Sequence, residues 1–176
     1  MHRASSFPGR WTSESPTTTD YPDPMTYTAA DGRRQILDAL ARAIEEIGVA
    51  VSALGEAYEL LDEQTADRLE TELFRPAQAA YGRAQRACSS FAARHDLPAR
   101  AFAEAIRGHP STGVKGFIEN ATDAAARADS ELAELQDSML PVEVGDFELR
   151  AGLAEVRELL DHLRTHARAL VRTLGR

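Results

Sequence analysis

The amino-acid sequence predicts an all-α protein: an antiparallel up-down-up-down four-helix bundle preceded by a disordered N-terminal tail. Three long segments have apolar residues at alternating steps of three and four, the spacing of helices that pack at a shallow angle. A fourth, looser segment lies between the first two, two of the three connections are short turns, and no segment of the sequence has a competing β-strand pattern. We therefore expect one domain, residues 31–176, after a tail at residues 1–30.

The predicted tail is rich in residues that do not build a core. Residues 1–30 contain four of the eight prolines, many serine and threonine residues, and little periodic apolar content. Such a segment buries too little apolar surface to offset the entropy lost on ordering, which is typical of disorder. A short recognition motif around Trp11 or Tyr21 is the alternative to an unstructured leader.

The first helix is predicted after Asp31. Its seam residues are Leu37, Leu40, Ile44, Ile47, Val51, Leu54, Tyr58 and Leu61. Beside this seam Ala41, Gly48 and Gly55 recur every seven residues. Glycine destabilises a helix interior by roughly 1 kcal/mol relative to alanine, so this stripe indicates the close approach of another backbone. That backbone belongs either to the second helix or to a second copy of the chain in a homodimer.

The second helix is predicted within residues 66–95, after a tight turn at Asp62–Thr65. Its looser seam consists of Leu69, Leu73, Ala77, Ala80, Ala84, Ala87 and Phe91. Pro76 lies inside this run. Because proline has no N–H and clashes with the preceding turn, we expect the helix to kink or split there.

The third and fourth helices return to the regular spacing. Their seams are Val114, Ile118, Ala121, Ala125, Ala128, Leu132, Leu135 and Met139, and then Leu149, Leu153, Val156, Leu160, Leu163, Ala167, Leu170 and Leu174. Asp146 precedes the fourth helix and is a residue type that caps helix N-termini. The longer connection between Asp96 and Gly113 is predicted to contain a short extra helix that begins near Pro98.

Composition restricts the classes of partner and compartment. The net charge of −8 argues against attraction of the whole surface to nucleic acid or to an anionic membrane. The single cysteine, Cys88, excludes an intrachain disulfide and suits a reducing compartment. The sequence has no stretch typical of a signal peptide, and no run approaches the roughly 20 apolar residues of a membrane span. We expect a cytoplasmic protein that binds neither nucleic acid nor membranes.

Two histidines near the C-terminus have the spacing of a metal site. His162 and His166 are four residues apart on the fourth helix, but His162 is predicted to point outward, and a functional site needs more ligands. The Glu-x-x-His pairs of di-iron bundles are missing from the sequence. The pair is therefore a weak metal candidate, and we predict no cofactor and no catalytic residue.

The segment His109–Gly116 has the most unusual local composition in the sequence. It places Ser111, Thr112 and the only lysine, Lys115, before the third helix. Free N–H groups at a helix N-terminus bind anions, which makes the segment a candidate anion-binding loop. Serine or threonine there is also an ordinary N-cap. A metal- or small-ligand-binding bundle, enzymatic or not, that uses this loop or the two histidines is the alternative function.

The charge pattern indicates an interaction protein. Residues 45–72 contain nine acids and one base, and residues 129–148 contain seven acids and no base. In an up-down-up-down bundle both segments lie at one end, an acidic pole, whereas the bases of 94–115 and 164–176 form a basic pole at the other. The expected interaction residues are Glu56, Glu59, Glu63, Asp129, Glu131 and Asp137, with Arg164, Arg168 and Arg172. We therefore expect a non-enzymatic protein with a protein partner, and a homodimer as a further option.

Overall fold

The computed structural model describes residues 24–102 and 113–174, with side chains from Ala29 onwards. Within these ranges the chain is helical and contains no strand, which confirms the all-α class. The helices are α1 (Pro24–Tyr58), α2 (Glu63–Leu69), α3 (Arg75–Arg94), α4 (Gly113–Asp137), α5 (Leu140–Glu143) and α6 (Phe147–Leu174). None of these helices is long and apolar enough to cross a membrane.

The predicted seams form one apolar core. Ile44, Ile118 and Leu160, from three different helices, are completely buried and belong to a single cluster. The prediction is wrong at the ends of the long helices, where Tyr58 and Leu174 are about one third exposed and Met139 is half-exposed. The neighbouring helices no longer cover a seam residue at these ends. The prediction is also wrong at Ala87 within α3, where the adjacent Cys88 is buried instead.

Ion pairs establish that α1 and α4 are antiparallel. Arg42 donates to Glu131 at 2.8 Å, and Arg127 donates to Glu46 at 2.9 Å. The position on α4 therefore falls as the position on α1 rises. Contacts between the other helices run in the same opposed sense. They show that α3 is antiparallel to α6 and that α6 is antiparallel to α4. The neighbours around the bundle are α1–α4, α4–α6, α6–α3 and α3–α1.

These contacts give an up-down-down-up order, so the predicted up-down-up-down order is wrong. We call the end with the turn between α1 and α2 the upper end, and the end with the connection between α4 and α6 the lower end. α3 finishes at the lower end and α4 starts at the upper end. Residues 95–112, which reach up to about 60 Å when extended, are long enough to join the two. The length of this connection therefore permits either order, and the apolar spacing is the same in both.

The second long helix is not split at Pro76. A π-helical turn, Glu70–Phe74, joins α2 to α3, and the backbone stays helical through both junctions. Leu69, Leu73 and Ala77 are four residues apart and are all buried. Positions i, i+4 and i+8 share one face of a helix, so these three residues still face the core through the π turn. Pro76 then lies in the first turn of α3, where a missing N–H is tolerated.

Three further boundaries differ from the prediction. α1 begins at Pro24 instead of near Asp31, and proline is favoured in the first turn of a helix. Residues 98–102 are not helical, so the short helix does not begin at Pro98. The rest of the predicted tail (1–23) and of this connection (103–112) lie outside the described residues. The third connection contains a short helix, α5, that was not predicted.

Candidate interaction surfaces

The two acidic segments lie at opposite ends of the bundle. Residues 45–72 include the upper turn, and residues 129–148 include the lower connection. The basic segments are divided in the same way: Arg94 is at the lower end, whereas Arg168 and Arg172 are at the upper end. The prediction of one acidic and one basic pole is therefore wrong, because it depended on the order of the helices.

Three of the predicted interaction residues connect helices along the side of the bundle. Asp129 accepts from Arg157 at 2.7 Å and from Arg164 at 3.4 Å, and Glu131 accepts from Arg42. Partly exposed ion pairs of this kind contribute about 0–1 kcal/mol each. Their geometry assigns Asp129, Glu131 and Arg164 a role in helix alignment, which is compatible with but separate from partner binding.

The lower end contains a buried carboxylate network. The side chain of Asp146 is 4% exposed and accepts from the Leu149 N–H at 2.8 Å, so the predicted cap of α6 is confirmed. Arg94 donates to both oxygens of this carboxylate at 2.8 Å and to Glu148 at 2.7 Å. His95 Nε2 lies 3.2 Å from Asp146 Oδ2. This network fixes the start of α6 against the end of α3.

The pKa of Asp146 reflects opposing effects. Burial raises it, but the hydrogen bond from Leu149, the hydrogen bond and charge of Arg94, and the contact with His95 outweigh burial. The net result is a pKa below the ordinary range of an aspartate. The carboxylate is therefore ionised at neutral pH and can accept hydrogen bonds from both the Leu149 N–H and Arg94.

Exposed apolar side chains surround the lower connection. Phe147 is 71% exposed, Met139 51% and Val142 45%. Asp137 and Glu143 are exposed beside them and form no ion pair within the described part of the chain. We call these five residues the lower tip. Sequence analysis missed its apolar residues because Met139 fits the seam, whereas Val142 and Phe147 follow no periodic pattern.

The upper turn has a similar but smaller surface. Leu60 is 53% exposed and Tyr58 36% exposed, and the exposed Glu59 and Glu63 flank them. We call these four residues the upper tip. Asp62 does not belong to it, because its carboxylate caps α2 through Thr65. The side-chain and backbone hydrogen bonds from Thr65 lower the pKa of Asp62. The predicted residue Glu56 is half-buried on α1 below this turn.

His162 and His166 are close together. Their rings stack with centroids 3.9 Å apart, and His166 Nδ1 lies 2.8 Å from the carbonyl oxygen of His162. This hydrogen bond leaves His166 Nε2 available. Among the described residues no group of three or more His, Cys, Asp or Glu side chains is arranged to hold a metal ion. The pair stays a weak candidate for binding a metal ion.

The remaining candidates lie near the upper end. Ser111 and Thr112 of the predicted anion loop fall outside the described residues, and Lys115 is 3.7 Å from Glu119. Arg168 and Arg172 line a groove of about 770 Å³ between α4 and α6. Glu119 and Asp123 line the same groove, so its charge is mixed.

Cys88 is buried, as expected, and burial raises the pKa of its thiol. A thiol held in its protonated form is a poor nucleophile. The location of Cys88 thus agrees with a core role for this side chain.

Comparison with known protein families, with curated proteins and with solved structures finds no match to this chain.

Proposed function

We propose that this chain is a non-enzymatic cytoplasmic bundle that acts by binding other proteins through its ends. The observation that supports this proposal most is the lower tip, where Phe147 is 71% exposed beside Met139 and Val142. A single exposed apolar residue is ordinary, but a group of large ones rimmed by polar residues marks interaction sites. The upper tip repeats the combination on a smaller scale.

The rest of the described surface supports the same assignment. Acidic residues along the side of the bundle, such as Asp129 and Glu131, already pair with arginines of neighbouring helices. Acids without ion-pair partners within the described ranges lie on the side of the bundle as well, such as Glu158, but at the tips Glu59 and Glu143 lie beside exposed apolar groups. Because both tips are acidic, the partner is a basic protein surface, and nucleic acid or an anionic membrane would be repelled.

A different protein suits the tips better than a second copy. A contact between two lower tips, or between a lower and an upper tip, would place like charges together. The small-residue stripe is the other predicted homodimer surface. At Gly55 an added Cβ would meet the ring of Phe74 at 4.0 Å, so the π turn of the same chain already covers this part of the stripe.

Site-specific photo-crosslinking tests the proposal. A photo-reactive amino acid would replace Phe147 or Leu60, and in a control Glu158, which is exposed near the middle of α6. We expect irradiation in the native extract to attach a partner protein to at least one tip and not to position 158. Equal labelling from all three positions, or no labelled protein from either tip, would contradict the proposal.

A further inference from the structure

We infer that the lower tip docks a segment of a partner protein that combines large apolar and positively charged side chains. This inference rests on the proposed function and specifies the chemistry of the partner. The apolar part of the surface comes from three side chains within one short connection. Phe147 is the most exposed of all large apolar side chains among the described residues, and Met139 and Val142 are each about half-exposed.

The backbone presents these apolar groups from a fixed turn. Val142 N–H donates to the Met139 carbonyl oxygen at 2.9 Å, and Pro141 between them is buried. Asp146, which precedes Phe147, caps α6 and is held by Arg94. A surface that is ordered before binding loses less entropy on binding, so these anchors favour a specific contact.

The charges around the apolar group select a cationic partner. Asp137 and Glu143 form no ion pair with the described residues, and the Glu148 side chain is 74% exposed while it shares Arg94 with Asp146. The guanidinium carbon of Arg150 lies 5.9 Å from the centre of the Phe147 ring. The carboxylates of Asp137, Glu143, Asp146 and Glu148 outnumber the guanidinium groups of Arg94 and Arg150, so these side chains together are negative. A lysine- or arginine-containing apolar segment therefore complements both the apolar centre and the acidic rim.

Peptide binding to the full-length protein tests the inference. The probe is a fluorescently labelled synthetic peptide of leucine and lysine in an amphipathic helical repeat, measured by anisotropy. Two control peptides replace every leucine with serine or every lysine with glutamate. We expect the leucine–lysine peptide to bind at least about tenfold more tightly than either control, a difference of about 1.4 kcal/mol. Equal binding of the serine–lysine peptide would overturn the inference, because charge alone would then explain the binding.

Variants locate the contact. V142S combined with F147S changes two exposed side chains, so the helical circular dichroism should be retained, and the affinity should fall about tenfold. E143K should weaken binding too. The matched control is L60S at the upper tip, which should bind as the wild type does. If only L60S weakens binding, the inference is wrong, although the proposed function stands. If no peptide binds while crosslinking from position 147 still captures a partner, only the assigned chemistry is wrong.

Two other occupants would also overturn the inference. A second copy at this surface would appear as self-association in sedimentation experiments that V142S/F147S abolishes. The N-terminal segment of the same chain contains the only tryptophan, Trp11. If that segment covers the tip, V142S/F147S should shift the tryptophan emission in the absence of any peptide. An unchanged spectrum and a concentration-independent monomer are the results that the inference expects.

Discussion

At the scale of single residues, Asp146 is the one charged side chain that is buried among the described residues. Its role as a cap was predictable, because capping depends on its position just before a helix. Its partners Arg94 and His95 were not predictable, since they lie 52 and 51 residues away and reach Asp146 through packing of α3 on α6. A helix cap can be predicted from neighbouring residues in a sequence, whereas a contact between distant segments can be predicted only once the fold is known.

We expect Asp146→Ala to lower the free energy of unfolding by about 2 kcal/mol, from the lost cap and the lost charged hydrogen bonds. Arg94 would keep its bond to Glu148, which limits the loss. Urea unfolding measures the change. Asp137→Ala, at an exposed carboxylate of the same end, is the control and should stay within about 0.5 kcal/mol of wild type. Equal losses in both variants would show that the network does not stabilise the fold.

Acid should remove the contribution of Asp146. The folded pKa lies below the unfolded value of about 3.9, so the stabilisation is present above that value and disappears as pH falls through the folded pKa. Asp146→Asn keeps a capping oxygen but not the charge beside Arg94. The wild type should therefore be more stable than this variant at pH 7, and the difference in stability should narrow as pH falls below about 4 and close as pH falls through the folded pKa. A gap that is constant down to pH 2 would contradict the pKa direction.

At the scale of elements, the sequence predicts the four long helices but not the shape of the second. The seam at Leu69, Leu73 and Ala77 has two successive steps of four, beside Pro76. At about 100° per residue, a regular α-helix would also keep these three side chains within about 80° of one another, so their burial does not require the π turn. The spacing alone therefore does not distinguish a π turn from a regular α-helix. Proline alone suggests a break, because its effect depends on the turn in front of it.

A double-mutant cycle tests this explanation. Deletion of the exposed Thr71 removes one residue from the π turn and gives the seam steps of three and four, so Pro76 would then lie inside an ordinary α-helix. We expect the deletion to cost about 3 kcal/mol with Pro76 present and considerably less in Pro76→Ala. Pro76→Ala alone should change stability by less than about 1 kcal/mol. Thermal unfolding of the four proteins gives the coupling, and additive effects would contradict the explanation.

At the scale of the whole molecule, the seams predicted the all-α class and most of the core but not the order of the helices. Leu40, Ile118 and Leu163 are buried in the structure, as their spacing requires, yet the same burial is compatible with either direction of α4. The direction depends on residues 95–112, whose sequence has no short turn that would force a hairpin. The predicted charge poles were wrong for the same reason.

Crosslinking of cysteine pairs checks the order directly, in a Cys88→Ser background. Gln35 and Ser138 line one small cavity between α1 and α4. Gln35→Cys with Ser138→Cys should be joined by a short bis-maleimide in the monomer. Gln35→Cys with Lys115→Cys, at opposite ends of the bundle, should not react. The reverse result would restore the up-down-up-down order.

The order of the helices also affects how the chain folds. α1 packs most extensively on α4, and the pair Arg42–Glu131 joins residues 89 positions apart. Contacts between such distant residues slow folding relative to a simple helical hairpin. At about 5–20 residues per second, synthesis exposes the apolar face of α1 on the order of ten seconds before α4 is complete. The nascent chain is therefore a candidate client for chaperones that shield apolar helices, although the finished bundle buries most of the same face.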